Sequence, residues 1–169
     1  MLTPVGGADL PDLIALKSDP RVFAIMLGGV RSPMRTMEEL AEDVACWGAN
    51  GWGMWIVRTR ECGAFVGITG LMRRPDGRGV ALRFALWPEA QGQGLAREAA
   101  GTALRYGHEQ AGLARIVAVA RASNFASRQV LGSTGMAEAE QFVQGGHPMV
   151  LYASTVPLPE GNSRQPPAL

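Results

Sequence analysis

The segment from Leu86 to Ala100 joins a β-patterned run to a helical one through Gln91-Gly92-Gln93-Gly94, a turn with glycine at two of four positions. No other segment narrows the choice of folds as much. Glycines let a backbone approach a ligand without a Cβ in the way, and the first turn of the following helix offers N–H groups without acceptors and a partial positive charge. Such a turn suits a phosphate group. Two better-known phosphate motifs do not fit it. A dinucleotide fingerprint needs a glycine three residues beyond Gly94, where Arg97 stands, and an acidic residue ending a following parallel strand, which is absent. A Walker loop needs Gly-Lys-Ser or Gly-Lys-Thr, and the chain has neither. Taken alone, the turn also fits a tight strand-to-helix connection with no ligand.

A chain of 169 residues can bury one core in one domain. Its 47% hydrophobic and 18% charged residues are ordinary for a globular protein. The net charge of +1, with no Lys/Arg cluster, argues against a nucleic-acid partner and a basic membrane-surface helix. Of 16 basic residues only Lys17 is lysine, which reads as a coding bias as much as a functional choice. No apolar run approaches the roughly 18 residues of a membrane span. Asp9, Asp12 and Asp19 interrupt any signal-peptide pattern, so a cytoplasmic location is expected. Cys46 and Cys62 read as free thiols, His108 and His147 are isolated, and no metal site is expected.

Periodicity divides the rest of the chain. Asp9 and Pro11 open a first helix through Leu16. Thr36 and Glu39 form a capping-box pattern for a second, with Leu40, Val44 and Trp47 on one stripe and Asn50-Gly51 as its end. Trp52 to Arg58, Ala64 to Leu71 and Val80 to Trp87 read as an antiparallel meander, turned by Pro75-Asp76-Gly77 before its third strand. Leu95 to about Ala111 is helical with a stripe of small residues, Ala96, Ala99, Ala100, Ala103 and Gly107, that lets it sit close to a sheet. Arg115 to Ala120 predicts a strand, Asn124 to about Thr134 a helix closed by Gly135, and Glu138 to Val143 with Met149 to Thr155 a closing hairpin. The domain therefore covers 1–156, and the proline-rich 157–169 reads as a loose tail.

The order of these elements acquires meaning from a second motif, Asn124-Phe125-Ala126-Ser127-Arg128-Gln129-Val130-Leu131-Gly132-Ser133-Thr134-Gly135-Met136. With it, the chain resembles the GNAT superfamily of acyl-CoA-dependent N-acetyltransferases. The turn matches the superfamily's Q/R-x-x-G-x-G/A signature at Gln91, Gly94 and Ala96. The second motif is similar to its N-x-x-S pattern at Asn124 and Ser127, continued by Val130, Gly135 and Met136. Asn50 to Val57 and Phe65 to Leu71 are similar to the branch containing the ribosomal-protein N-terminal (Rim-type) acetyltransferases. The resemblance implies a single-domain α+β fold: a mixed, mostly antiparallel sheet of six or seven strands with a central splay, flanked by about four helices.

It also implies a site. Backbone at Phe84, Ala85 and Leu86 pairs with the pantetheine arm of acetyl-CoA, as another strand would. Amides from Gln91, Gly92, Gln93, Gly94, Leu95 and Ala96 hold the diphosphate. Asn124 lies against the cofactor or simply caps its helix; Arg128 meets a CoA phosphate or solvent. In this family's reaction an amine attacks the thioester directly, and Ser127, with Asn124 beside it, is the candidate to help the thiolate depart, the alternative for Ser127 being helix packing. The chain departs from many relatives at two positions: Leu131 stands where they carry an acidic tyrosine, and Ala81 where they carry glutamate. Neither can move a proton. A lysine amine is only about 0.04% neutral at pH 7 and an α-amine roughly 14%, so the acceptor is expected to be a peptide N-terminus or small-molecule amine.

The acceptor pocket is expected between the first two helices and the closing hairpin, near Trp47, Trp52, Trp55 and His147, the tryptophans otherwise serving the core and the histidine otherwise having no role. The departures at Leu131 and Ala81 keep a second function open: a catalytically weak acyl-CoA-binding or regulatory module using the same cleft. A homodimer is compatible with an edge exposed by the last strands.

Overall fold

A computed structural model describes residues 1–156; the proline-rich tail expected at 157–169 lies outside the described residues. Seven strands form one sheet: β1 (Leu2–Pro4), β2 (Met54–Arg58), β3 (Phe65–Arg73), β4 (Val80–Leu86), β5 (Arg115–Arg121), β6 (Ala137–Gln144) and β7 (His147–Thr155), ordered β1-β2-β3-β4-β5-β7-β6. The helices are α1 (Leu10–Ser18), α2 (Pro20–Phe23), α3 (Pro33–Asn50), α4 (Leu95–Glu109) and α5 (Phe125–Ser133). Alternation along the strands gives the sheet two apolar faces. On one, Leu13, Leu16, Phe23 and Leu40 from α1 to α3 bury Ile56, Ile68 and Ala85. On the other, Ala100, Ala103 and Leu104 of α4 and Leu131 of α5 cover Leu71, Leu82, Ile116 and Ala118.

The small stripe of α4 does what its spacing predicts. Ala100 and Ala103 are fully buried, and a Cβ at Gly107 would stand 2.5 Å from Ile116 Cδ1 and 2.8 Å from Leu71 Cδ1. The helix therefore rests almost directly on the sheet. Glycine there costs about 1 kcal/mol in helix propensity, which the close packing offsets.

All pairings are antiparallel except β4 with β5, which run parallel and meet in register at a single pair, Ala81 with Val117. On its other side β4 stays paired with β3 as far as Leu86 opposite Gly67, and β5 with β7 as far as Arg121 opposite Met149. The strands thus part after Ala81 and Val117, opening the expected splay at the centre of the sheet.

Three local readings change. Helix α3 begins a turn before Thr36: the Ser32 side chain accepts the Arg35 N–H at 3.1 Å and Pro33 takes the first helical position. Proline has no N–H to leave unsatisfied there, so Ser32-Pro33 is the stronger start. The supposed capping pair lies inside the helix, with Thr36 fully buried and Glu39 turned toward other elements. The short helix α2 and the edge strand β1 were not apparent from periodicity, since four and three residues respectively are too few to show a period.

Candidate functional site

The splay opens a cleft that runs through the sheet as two adjoining cavities. The larger, about 610 Å³, lies between α2, the end of β4, the Gly-rich turn and α5. Phe84, Ala85, Leu86, Gln91, Gly92, Gly94, Ala96, Asn124 and Ser127 all line it, so most of the residues predicted from sequence converge there. The smaller, about 330 Å³, opens on the helical face of α3, walled by the loop after α2, β4, β5 and the β6–β7 hairpin. Ile25, Met26, Phe84, Asn124 and Ser127 line both, marking where the cavities meet.

The turn has the geometry its glycines suggest. Gly92 and Gly94 adopt φ of 73° and 77°, the left-handed region that side-chain-bearing residues rarely enter, and a Cβ at either would meet nothing within 4 Å. Open space therefore lies before the turn. The first helical hydrogen bond of α4 runs from the Glu98 N–H to the Gly94 carbonyl at 3.0 Å, so the preceding N–H groups at the helix start have no helical acceptor. No side chain caps this end.

Asn124 accepts the Ser127 N–H at 3.1 Å through Oδ1 and so caps α5, while also facing both cavities. The cap and the cleft position are compatible. It holds Ser127 at the junction, where the hydroxyl forms no hydrogen bond among the described residues.

Three predicted residues do not join the cleft through their side chains. Gln93 Nε2 donates to the Glu89 carbonyl at 3.2 Å, and Gln93 and Leu95 line a separate hollow with Trp87. Only their main chains remain to serve the turn. Arg128 lies on another side of α5, where it donates to Tyr152 Oη at 3.1 Å, the Ala122 carbonyl at 2.9 Å and Glu138 at 2.9 Å. It is a structural bracket rather than a wall of either cavity.

The tryptophans take the core alternative. Trp47, Trp55 and Tyr106 pack edge to face, Trp47 and Trp55 with ring centroids 4.9 Å apart; Trp52 joins the core, and none of these lines the smaller cavity. His147 is exposed at the start of β7, outside it. The hairpin contributes Gln144 and Met149 instead. Ala81 and Leu131 do line this cavity, and neither side chain can move a proton.

Sequence reasoning missed the charged wall. Arg31, Arg35, Arg74, Arg83 and Arg121 line the smaller cavity with a single carboxylate, Glu39. Arg97 lines the larger one beside the turn; a basic residue in the first turn after Gly94 was the available signal. Burial would raise the Glu39 pKa, but Lys17 at 2.8 Å and Arg31 at 2.7 Å outweigh it and hold the carboxyl at about 2. One turn further along α3, Asp43 has no such partner among the described residues. Its burial, opposed only weakly by the charges of Lys17 and Arg83, pushes its pKa up to about 6.

That shift has a pH signature. Because the folded pKa lies above the unfolded one, stability is highest below about pH 4 on this account and falls as pH rises toward 6. Asp43→Asn should therefore gain about 1–3 kcal/mol over the unsubstituted chain at pH 8 and nothing near pH 4, read by urea unfolding across that range. An equal effect at both pH values refutes this origin.

Comparison with known proteins places this geometry. A family model described as an acetyltransferase (GNAT) domain matches residues 1–137. The chain belongs to the GNAT acetyltransferase family. A curated relative, the FsC-acetyl coenzyme A-N(2)-transacetylase of Aspergillus fumigatus, is 29% identical over 155 residues, covering 83% of this chain. The chain spans about 63% of that relative's length. Among solved structures, spermidine N-acetyltransferase from Vibrio cholerae in complex with CoA and spermine superposes with a TM-score of 0.76 at 18% identity, over 92% of this chain and 94% of that one. RimL, a ribosomal L7/L12 alpha-N-protein acetyltransferase in complex with coenzyme A, gives 0.74 at 16% identity, over 92% and 93%. These share the fold. No helix among the described residues is long and apolar enough to cross a membrane, and they contain no cluster of three or more metal-ligating side chains.

Proposed function

We propose that this domain transfers the acetyl group of acetyl-CoA to a primary amine by direct attack on the thioester, the acceptor being a peptide N-terminus or a small-molecule amine. One observation carries the reading: two cavities, one ending on a bare helix N-terminus, meet through a gap in the sheet at Phe84, Asn124 and Ser127. The FsC relative, spermidine N-acetyltransferase and RimL are each named for acetylation, and the last two for complexes with CoA.

In the reaction, the open edge of β4 at Phe84, Ala85 and Leu86 pairs with the amide-bearing pantetheine arm. Main-chain N–H groups between Gln91 and Ala96 bind the diphosphate, with Arg97 beside them. The thioester then lies at the junction, the amine enters from the smaller cavity, and its attack expels the CoA thiolate. Ser127, oriented by the Asn124 cap, passes a proton to that sulfur and regains one through water from the ammonium formed by the attack. With Ala81 and Leu131 in the wall, the ammonium proton leaves through water, and positioning supplies most of the acceleration. We place this reaction in the cytoplasm. The free edge of β6 is where a second copy of the chain would add to form a homodimer.

Acetyl-CoA should raise the melting temperature, and thiol release should depend on an amine drawn from a broad panel. Ser127→Ala should lower kcat about 10- to 100-fold with little change in the KM for acetyl-CoA. Stabilisation by acetyl-CoA with no thiol release from any amine would instead establish the acyl-CoA-binding module, for which Ala81 and Leu131 speak. Stabilisation by ATP or NAD but not acetyl-CoA refutes both.

A further inference from the structure

The five arginines of the smaller cavity are not equivalent. Arg31 pairs with Glu39 at 2.7 Å, Arg35 with Glu38 at 3.0 Å, and Arg74 Nε with Asp76 at 2.9 Å. Arg83 and Arg121 form no ion pair among the described residues. Among the described residues the sole polar contact of the Arg83 guanidinium is Nη1 to the Met72 thioether at 3.2 Å, and sulfur is a weak acceptor. Arg121 Nε is buried with no hydrogen-bond partner among the described residues. A guanidinium stays protonated in proteins, so each residue keeps a charge that no carboxylate among the described residues contacts, Glu39 and Asp43 acting on Arg83 only at longer range.

Both belong to the same wall. Where β4 and β5 pair at Ala81 and Val117, alternation carries Arg83, two residues on, and Arg121, four residues on, to the face that Ala81 and Val117 share. The strands diverge from that pair, so the two cations flank the gap from opposite sides and line one cavity. A buried donor left without an acceptor is costly, and the cost is recovered when a ligand supplies the acceptor.

We propose that the acceptor amine carries its own oxyanion, a carboxylate or phosphonate, which binds between Arg83 and Arg121. The planar fork of arginine matches both groups, and a cavity of about 330 Å³ suits a molecule of amino-acid size. This inference rests on the transferase reading and names its substrate class. The same two charges favour the neutral form of the neighbouring amine, since a like charge lowers the pKa of an ammonium. They therefore assist the deprotonation that Ala81 and Leu131 cannot. A polyamine meets repulsion in this pocket.

Thiol release from acetyl-CoA by the full chain should be compared across matched acceptors: alanine, glutamate and aminomethylphosphonate against alaninamide, ethylamine and spermidine. The acids should show kcat/KM at least about tenfold above their uncharged or cationic counterparts. The ratio of alanine to alaninamide should fall toward one in Arg83→Gln and in Arg121→Gln, with the loss expressed as a raised KM for alanine. Should either variant fail to fold, propionate and methylphosphonate should inhibit the unsubstituted chain competitively against alanine. Equal use of acids and amides, an acid preference that survives in both variants, or no inhibition by either anion overturns the proposal. Failure of acetyl-CoA to stabilise the unsubstituted chain is a separate result, which removes the transferase reading beneath it.

Discussion

Gly94→Asp should abolish acetyl-CoA binding in a chain that still folds. The substitution acts on charge and space together. Gly94 lies at φ of 77° and a Cβ there would have no atom within 4 Å, so aspartate fits at a backbone cost of about 1–2 kcal/mol. Its carboxylate also sits at the start of α4, where the helix dipole favours negative charge by about 0.3–1 kcal/mol. Stability should therefore change by no more than about 1–2 kcal/mol. The diphosphate fares differently, because it must share that helix end with a fixed anion a few ångströms away. At an effective dielectric near 20, two unit charges 4 Å apart repel by about 4 kcal/mol, enough to lower affinity roughly 100-fold or more. Gly94→Ala separates the two causes: it adds the backbone cost without the charge, and should weaken binding less than tenfold. Thermal stabilisation by acetyl-CoA measured on both variants reads the difference. A Gly94→Asp protein that still gains stability from acetyl-CoA would show that the diphosphate binds elsewhere.

The same turn explains why so much of this site could be read from residues alone. Gln91 to Ala96 announce an open turn before a bare helix start because glycine readily adopts the required backbone and a helix start leaves amides free, and both facts are local. Asn124 and Ser127 are equally local, one capping the helix that carries the other. Strand periodicity then ordered the meander and hairpin, and the small stripe of α4 foretold its close seat on β3 and β4. Long-range arrangement was different. Arg83 reads as an unremarkable polar residue in a strand, and Arg121 as a strand end; only the divergence of β4 from β5 brings them to one cavity. The loop from Ile25 to Arg31, which closes that cavity, has no period to detect. The tryptophans stayed ambiguous because large aromatics serve cores and pockets alike, and Trp47, Trp55 and Tyr106 pack against one another.

Lys17, the one lysine of the chain, turns from a compositional curiosity into half of the second large prediction. Its side chain is 5% exposed, and it meets Glu39 at 2.8 Å; Arg31, 10% exposed, reaches the other carboxylate oxygen at 2.7 Å. Glu39→Ala should destabilise the fold by about 3–5 kcal/mol, because it leaves two buried cations without an anion. For a chain of this size that is a fall of roughly 10 °C or more in melting temperature. Replacing Lys17, Arg31 and Glu39 together by apolar residues should cost far less, since the desolvation of all three charges disappears with their attraction. The pH dependence follows from the depressed Glu39 pKa: the contribution is complete above the unfolded value near 4.5 and is lost as pH falls through about 2. A Glu39→Ala protein within about 1 kcal/mol of the parent, with an unchanged acid limb, would contradict this account.

Glu39 also ties stability to selectivity. By holding Arg31 and sitting 3.5 Å from Arg35, it neutralises one side of the smaller cavity and leaves the positive charge concentrated across the gap at Arg83 and Arg121. The substitution Glu39→Gln keeps the shape and removes that neutralisation, so Arg31 becomes a third unpaired cation at the cavity wall. Any residual transfer by a folded Glu39→Gln protein should therefore become more salt-dependent and less discriminating about where the acceptor carries its anion, because three cations offer more than one place to bind it. The comparison is with the parent chain at low and high salt, using alanine and glutamate as acceptors. An unchanged ratio of the two acceptors at both salt levels would confine Glu39 to the fold alone.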